Sequence, residues 1–273
     1  MMKKNWKPTL FFVFCLVIFL IIKLPVALIL KQVELPSEIK LYGVKGQITS
    51  GHIAAAYANN FPIRDINYEA DLSCLLTLQV CYQINYQNGT ANISFNPLTN
   101  STVIKQVDIE YSMAEFAPLM NQLLVKPTGE LNLKFNQISV KHLINNSDVN
   151  KSNANQIKIG NIDGQAIWNN AGVVGEGISL GDYQLGVLRE DDSYRFKLTD
   201  IKAVLNIDGT GRLKPNGEYL IDIKILADLG LDDSIKSILT LIAKKKGLNE
   251  YSIYRQGQLP AHLISLLSFS EDI

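Results

Sequence analysis

From Ile39 onward, apolar and polar residues alternate with a period of two, and a chain written this way can bury only one face of a sheet. Tyr82, Ile84 and Tyr86 alternate with polar neighbours, and Ala91, Ile93 and Phe95 alternate on the return. Asn88-Gly89 between them carries the two residues that best tolerate the left-handed backbone of a type I′ turn, which predicts a hairpin. The same pattern predicts strands around residues 103–111, 131–140, 183–188, 194–198, 204–207 and 219–226. Glu190-Asp191-Asp192-Ser193, Asp208-Gly209 and Pro215-Asn216-Gly217 read as the turns between the later ones. Strands this regular, with so little helix between them, predict antiparallel meanders.

Two helices are expected to interrupt the strands. Ser112-Met113-Ala114-Glu115 has the form of a capping box ahead of Phe116, Leu119, Met120 and Leu123, with Pro118 placing the regular helix near Ala117. Asp232-Asp233-Ser234 caps a stronger one that carries Ile235, Ile238, Leu239 and Ile242 on one face. The lysines at 244–246 then read as its solvated C-terminal end and Gly247 as its stop. Residues 145–156 (NNSDVNKSNANQ) are polar and predict a loop. Words on either side of it match: Lys45-Gly46-Gln47-Ile48 with Asp163-Gly164-Gln165-Ala166, Gly89-Thr90-Ala91 with Gly209-Thr210-Gly211, and Val107-Asp108-Ile109-Glu110 with Ile221-Asp222-Ile223-Lys224. Order is kept, so two related β halves are expected, at 31–144 and 157–273.

The N-terminus has a different character. Residues 9–22 (TLFFVFCLVIFLII) are apolar and uncharged, and after Lys23 the apolar pattern resumes to Leu30. A membrane span needs about 20 residues, so residues 9–30 suffice if Lys23 snorkels. A cleavable signal peptide is the rival, with Pro25-Val26-Ala27 a poor cleavage site. Lys3, Lys4 and Lys7, without acids, put residues 1–8 in the cytoplasm and export the rest. With the five lysines of the first 31 residues set aside, 21 basic residues face 26 acidic ones, a net of about −5. No basic stripe is present to neutralise phosphates, so nucleic acid is not an expected partner.

Cys15 lies in the apolar run, which leaves Cys74 and Cys81 to pair in an oxidising compartment. Seven residues span about 10 Å as helix and about 23 Å as strand, both too far for a bridge. A disulfide therefore requires a turn, with residues 75–78 as a short helical piece folding back onto a strand that starts near Val80. Metal binding is the weaker alternative, since no histidine is close in sequence.

Chemistry-bearing motifs are few. Gly177-Ile178-Ser179-Leu180-Gly181 matches the nucleophile elbow of hydrolases, but the following Asp182-Tyr183-Gln184-Leu185 alternates as a strand, where an elbow needs a helix. His52, His142 and His262 are far apart in sequence. Phosphate loops, dinucleotide fingerprints and calcium loops are absent, and Asp191-Asp192 and Asp232-Asp233 fall in turn or cap positions. No catalytic, metal or cofactor site is expected.

One further set of words remains. Leu24-Pro25-Val26-Ala27 closes the apolar run, and Leu41-Tyr42-Gly43-Val44-Lys45-Gly46-Gln47-Ile48-Thr49-Ser50-Gly51 follows. Gly164 and Trp168 then open the second half. This combination resembles the protein N family of the bacterial type II secretion system, with Gly43, Gly46, Ser50, Gly51, Gly164 and Trp168 on its motif positions. Thr49 departs from it where tryptophan is common, as does Val26 between Pro25 and Ala27. The resemblance implies a non-enzymatic subunit of the bacterial inner membrane with a periplasmic β domain. Its partners would be other secretion components, either bitopic inner-membrane subunits or the outer-membrane secretin. In that compartment the acceptor-like Asn88-Gly89-Thr90 and Asn92-Ile93-Ser94 carry no glycan. The expected architecture is mainly β, a large twisted antiparallel sheet or sheets from two related halves, with a few short helices and one N-terminal transmembrane helix. An alternative reading of the same repeated β halves is an AsmA-like groove that binds or carries lipid or other hydrophobic cargo, since alternation makes one face apolar without saying what covers it.

Overall fold

A computed structural model describes residues 10–13, 16, 19–20, 22–30, 32, 39–58, 61–116, 127–143, 156–173, 178–228 and 230–260. The alternating pattern forms one antiparallel sheet of 14 strands, hydrogen-bonded in chain order except that β14 lies between β12 and β13. The chain divides into two compact units, Met1–Asn92 and Ile93–Ile273.

In the first unit the short helix α1 (Val26–Leu30) precedes β1 (Ile39–Gly46), β2 (Ser50–Ala58), β3 (Phe61–Asp71) and β4 (Val80–Tyr86). Register is set at the turn of β1 into β2, where Gly46 pairs with Gly51, and is carried onward by Ser50 opposite Glu69. Between β3 and β4 lies a 3-10 turn, Leu72–Thr77, closed by Leu78 in the left-handed conformation. That reversal brings the Cα atoms of Cys74 and Cys81 to 5.9 Å, and their sulfurs are bonded. The chain next turns at Gln87-Asn88, with Gly89 as the first residue of β5 (Gly89–Asn96), one residue earlier than the Asn-Gly pair implies.

The second unit continues through β6 (Ser101–Ser112), β7 (Pro127–Leu143), β8 (Gln156–Val173), β9 (Ile178–Glu190), β10 (Ser193–Ala203), β11 (Leu205–Leu213) and β12 (Glu218–Ala227). Helix α2 (Asp233–Ile242), β13 (Lys244–Lys245) and β14 (Glu250–Gln258) complete it. The loop expected at 145–156 lies outside the described residues except for Gln156, which opens β8; β7 and β8 pair with each other over most of their length. Of the three matched pairs of words, only the last occupies like places, β6 and β12, each ahead of a helical piece. Lys45-Gly46-Gln47-Ile48 turns the corner out of β1, whereas Asp163-Gly164-Gln165-Ala166 runs straight through β8.

The structure departs from two expectations. Asp208-Gly209 is not a turn: both residues lie inside β11, opposite Thr199 and Leu198 of β10, and the chain turns instead at Val204. The reason is that Gly209 sits between Leu198 and Ile223, where a Cβ would stand 3.2 and 3.1 Å from their side chains, so glycine here relieves crowding within a strand. The lysines at 244–246 do not close a helix. Helix α2 makes its last bond from Ala243 N–H to the Leu239 carbonyl, and Lys244 and Lys245 then pair with Ser252 and Tyr251 as an edge strand. Pairing there satisfies their backbone groups and puts charge on an exposed edge. The capping box at Ser112 heads a 3-10 turn, Met113–Phe116, with the Ser112 hydroxyl accepting from Ala114 N–H at 3.3 Å. The helix expected after it, at 117–126, lies outside the described residues, as do residues 9, 14–15, 17–18 and 21 of the expected span at 9–30. Among the described residues, no helix is long and apolar enough to cross a membrane.

The core of the second unit forms where α2 lies on the sheet. Leu231, Ile235 and Leu239 pack on Leu205, Ile225, Ala227 and Tyr251, all buried. Each such side chain withdrawn from water contributes roughly 1.5–3 kcal/mol. Truncating Leu239, 3% exposed, to alanine removes the centre of this contact. The Leu239→Ala variant is expected to unfold about 3 kcal/mol more easily in urea with little change in m-value, whereas Leu241→Ala, on the exposed side of the helix, leaves the midpoint nearly unchanged.

Candidate functional site

The words that carry the family resemblance form a local structure in the first unit. Gly43 and Gly46 have φ of +64° and +108°, a backbone that side chains oppose. At Gly46 a Cβ would also lie 2.5 Å from the Cα of Gly51 and from the Ser50 carbonyl. A Cβ on Gly51 would collide with the Tyr68 hydroxyl and the Lys45 carbonyl. Gly46 and Gly51 need to be glycine because two chain segments and a tyrosine ring converge on one point, and Gly43 because its Cβ would meet Ala54. Ser50 opens β2, and its carbonyl accepts from Gln47 N–H at 2.8 Å.

Two tyrosines clasp the loop that results. Tyr68 donates to the Gln47 carbonyl at 2.8 Å and Tyr82 to the Ile48 carbonyl at 3.2 Å, their rings edge-on with centroids 6.1 Å apart. Burial pushes the Tyr68 hydroxyl above its ordinary range, with the neighbouring Tyr82 adding to the shift, and burial does the same to Tyr82. Both therefore remain neutral donors at physiological pH. The loop also receives the end of the apolar N-terminal segment: Ile48 N–H donates to the Leu24 carbonyl at 3.1 Å, and Pro25 bridges to Gln47. The sequence marks the glycines but not the clasp, since Tyr68 and Tyr82 read as ordinary strand residues. Their only signal is that both are aromatic and fall on strands that must pass this loop.

Gly164 and Trp168 lie in the second unit, four residues apart on one face of β8. The Trp168 indole N–H donates to the Thr128 carbonyl at 2.8 Å, and its ring stands 6.5 Å from that of Tyr183. Gly164 lies against Phe135, whose ring leaves no room for a Cβ. Tyr183 and Tyr194 anchor the same sheet, donating to the Leu180 carbonyl and to the Ile159 and Gly160 carbonyls. Burial pushes each to a pKa of about 12.

A groove lies beside this anchor point, on the apolar face of β9 to β12. Leu185, Leu198, Gly209 and Ile223 pair in one row, and Val187, Phe196, Gly211 and Ile221 in the next. Because Gly209 and Gly211 contribute no side chains, the middle of the face is hollow, with a volume of about 720 Å³. Among the described residues, helix α2 covers one end of this face and no helix covers the groove, so the described face is neither a filled core nor a bare trough. The opposite face is polar, with Lys197 bonded to Asp208 and Gln184 to Gln165. In the sequence the two glycines read as turn or repeat signals, which hides the hollow.

The remaining sequence candidates do not converge. Ser179 is extended in β9 opposite Gly172, with the strand continuing to Glu190. The His52 ring nitrogen Nδ1 is 3.1 Å from the Asn67 side-chain oxygen, while the side chains of His142 and His262 lie outside the described residues. Among the described residues, no group of three His, Cys, Asp or Glu side chains could hold a metal ion.

A family model for protein N of the type II secretion system matches residues 37–253, which includes the glycine loop, its tyrosine clasp, Trp168 and the groove. The chain belongs to this family. No curated protein and no solved structure matches it.

The clasp of the secretion protein N loop makes a direct prediction. Gly51→Ala should destabilise the first unit and expose Tyr68 to solvent, seen as a larger fraction of readily titrating tyrosine. Tyr68→Phe, which loses only the bond to Gln47, should cost about 1 kcal/mol, and Gly51→Ala in the Tyr68→Phe background should cost less than in the parent. Equal costs in both backgrounds would mean that hydroxyl and glycine are not coupled.

Proposed function

We propose that this chain is a non-enzymatic subunit of the type II secretion system. In this reading it is held in the bacterial inner membrane by residues 9–30, with residues 1–8 in the cytoplasm and the β units in the periplasm. It contributes to export of folded proteins across the outer membrane by contacting other components, either bitopic inner-membrane subunits or the secretin. The observation that carries this reading is the family match across most of the chain.

Two further features support it. Leu10, Phe11, Phe12, Phe19 and Leu20 are helical and more than half exposed. Such a run of outward apolar side chains is unfavourable in water and favourable in lipid. The Cys74–Cys81 bridge suits an oxidising compartment. Deleting the gene should leave secreted proteins trapped in the periplasm, with export restored by the full chain. Cross-linkers placed on the β units should capture another secretion component. Normal secretion in the deletion strain, with no component captured, would sink this reading.

The open groove favours a second reading, in which the second unit binds or carries a lipid or other hydrophobic molecule. Its rows of Leu185, Phe196, Leu198, Ile221 and Ile223 offer an acyl chain an apolar bed. Native mass spectrometry of the full chain, released from membranes and exchanged into a lipid-free polymer, should then show a copurifying adduct. Gly211→Val, whose Cβ would stand at an ordinary 3.4 Å from Phe196, should fill the hollow and remove it. A bare parent mass would exclude the carrier reading.

A further inference from the structure

The turn between β3 and β4 is built to present leucines. Its 3-10 segment carries Leu72, Leu75 and Leu76, followed by Leu78 and Val80, and all five are exposed, Leu76 at 90%. Few loops place so many large apolar side chains against water without a use for them. The backbone beneath them is tied off internally. Asp71 accepts from Ser73 N–H at 2.9 Å and from the Ser73 hydroxyl at 2.7 Å, which holds its carboxyl below the usual range. Leu78 and Gln79 N–H donate to the Leu75 and Cys74 carbonyls, each at 3.1 Å, and Thr77 donates its hydroxyl to the Cys74 carbonyl at 2.8 Å. The Cys74–Cys81 bridge locks the turn to β4.

At position 78 the chain adopts φ of +56°, where glycine would be the easy choice and leucine is strained. An apolar side chain is thus retained at a site whose backbone argues against one. With several backbone groups tied within the turn and five large apolar side chains outward, among polar Asp71, Ser73 and Thr77, the knuckle suits the mixed polar and apolar interface of a membrane and not its hydrocarbon centre.

Its position points to which medium. Leu24, two residues beyond Ile22 of the apolar run, accepts from Ile48 N–H at 3.1 Å, and Thr49, next in the chain, accepts from Ala70 N–H at 2.7 Å. Ala70 directly precedes the Asp71 cap of the knuckle, and Tyr82, one residue past Cys81, donates to the Ile48 carbonyl. The root of the knuckle therefore lies one strand spacing, about 5 Å, from the loop that receives the apolar segment as it ends. Lys23 and Lys45, both exposed, are at this same end, where cations suit lipid phosphates.

We propose that the disulfide-braced turn at residues 72–80 is a second membrane contact, a leucine knuckle that enters the interface of the same bilayer that residues 9–30 enter. It rests on the reading of those residues as an anchor. With two attachments, the first unit is held at a fixed tilt to the membrane instead of swinging on a tether.

The test uses the full chain in vesicles of phosphatidylethanolamine and phosphatidylglycerol containing dibrominated phosphatidylcholine, a quencher of tryptophan within the acyl region. Leu76→Trp places a reporter on the knuckle, and Gln87→Trp places one at the opposite end of β4, about 23 Å away. Signals are taken after subtraction of the unsubstituted chain, which contains Trp6 and Trp168. The expected result is at least a twofold loss of the reporter signal in the Leu76→Trp chain and none in the Gln87→Trp chain. If both chains float with the vesicles but their reporters are equally unquenched, the knuckle proposal is overturned and the anchor stands. If the chain fails to float, the anchor reading falls and the knuckle with it. Shielding of the Leu76→Trp reporter from aqueous iodide only when another secretion component is added would assign the knuckle to a protein partner and overturn the proposal as well.

Discussion

A single layer of alternating strands has an apolar face that cannot cover itself, and most features of the second unit follow from how that face is managed. Helix α2 supplies cover over Leu205, Ile225 and Tyr251, and the only dense core among the described residues of this unit's C-terminal part is found there. Next to it the same rows of leucine, isoleucine and phenylalanine continue, and no helix among the described residues lies above them. Glycines at 209 and 211 deepen the face at this place instead of filling it. At Gly209 the crowding of Leu198 and Ile223 leaves little room for a side chain, but at Gly211 a Cβ would meet Phe196 at an ordinary 3.4 Å, so a sheet whose sole need was stability would place valine or isoleucine there. The hollow is thus a consequence of residue choice, on a sheet whose opposite face is already committed to charge and solvent.

The first unit answers a different constraint. Its strands must receive the end of the apolar N-terminal segment, and three groups meet where that happens: the Gly46–Gly51 turn, the Leu24–Pro25 segment, and the hydroxyls of Tyr68 and Tyr82. Close approach demands glycine, and the orphaned carbonyls of Gln47 and Ile48 demand donors. The tyrosines supply those donors from neighbouring strands, so the attachment point is tied to the sheet by side chains as well as by chain connectivity. A mechanical load on the apolar segment would be spread over β1 to β4 by these bonds.

How much of this is legible in the sequence depends on the range of the interaction that decides each element. Alternation is local, so antiparallel order and the strands from Tyr82 to Tyr111, Leu131 to Val140 and Tyr183 to Leu226 can be read, whereas β1 to β3, β8 and β14 are not placed by it. The turn between Cys74 and Cys81 is legible too, because bond geometry excludes a straight chain over seven residues. Elements decided by a distant neighbour are not. Asp208-Gly209 has the composition of a turn, yet Leu198 and Ile223 on flanking strands make Gly209 a strand residue. Lys244 and Lys245 complement a helix dipole by sequence position, but the unpaired edge of β14 offers their backbone more than the helix end does. The likeness of Lys45-Gly46-Gln47 to Asp163-Gly164-Gln165 is one of residues and not of place, since glycine serves a positive φ in one and a crowded ring contact with Phe135 in the other. The family words are legible for a related reason: glycines forced by convergence leave a mark that alternation alone does not.

The same reasoning separates the leucines of the 72–80 turn from the apolar residues of the strands. Strand residues such as Leu198 or Ile223 are apolar because a sheet face requires it, and their partial exposure reflects missing cover. Leu76 and Leu78 belong to no sheet face, and Leu78 occupies a left-handed site that glycine or asparagine would fill at less cost. Folding of the turn needs Asp71, Ser73 and the disulfide, none of which depends on the leucine side chains. Their apolar character is therefore unexplained by the fold, and an explanation has to come from what the turn meets. Because the turn is rooted beside the loop that binds Leu24 and Pro25, whatever holds the apolar segment is also the surface within reach of these leucines.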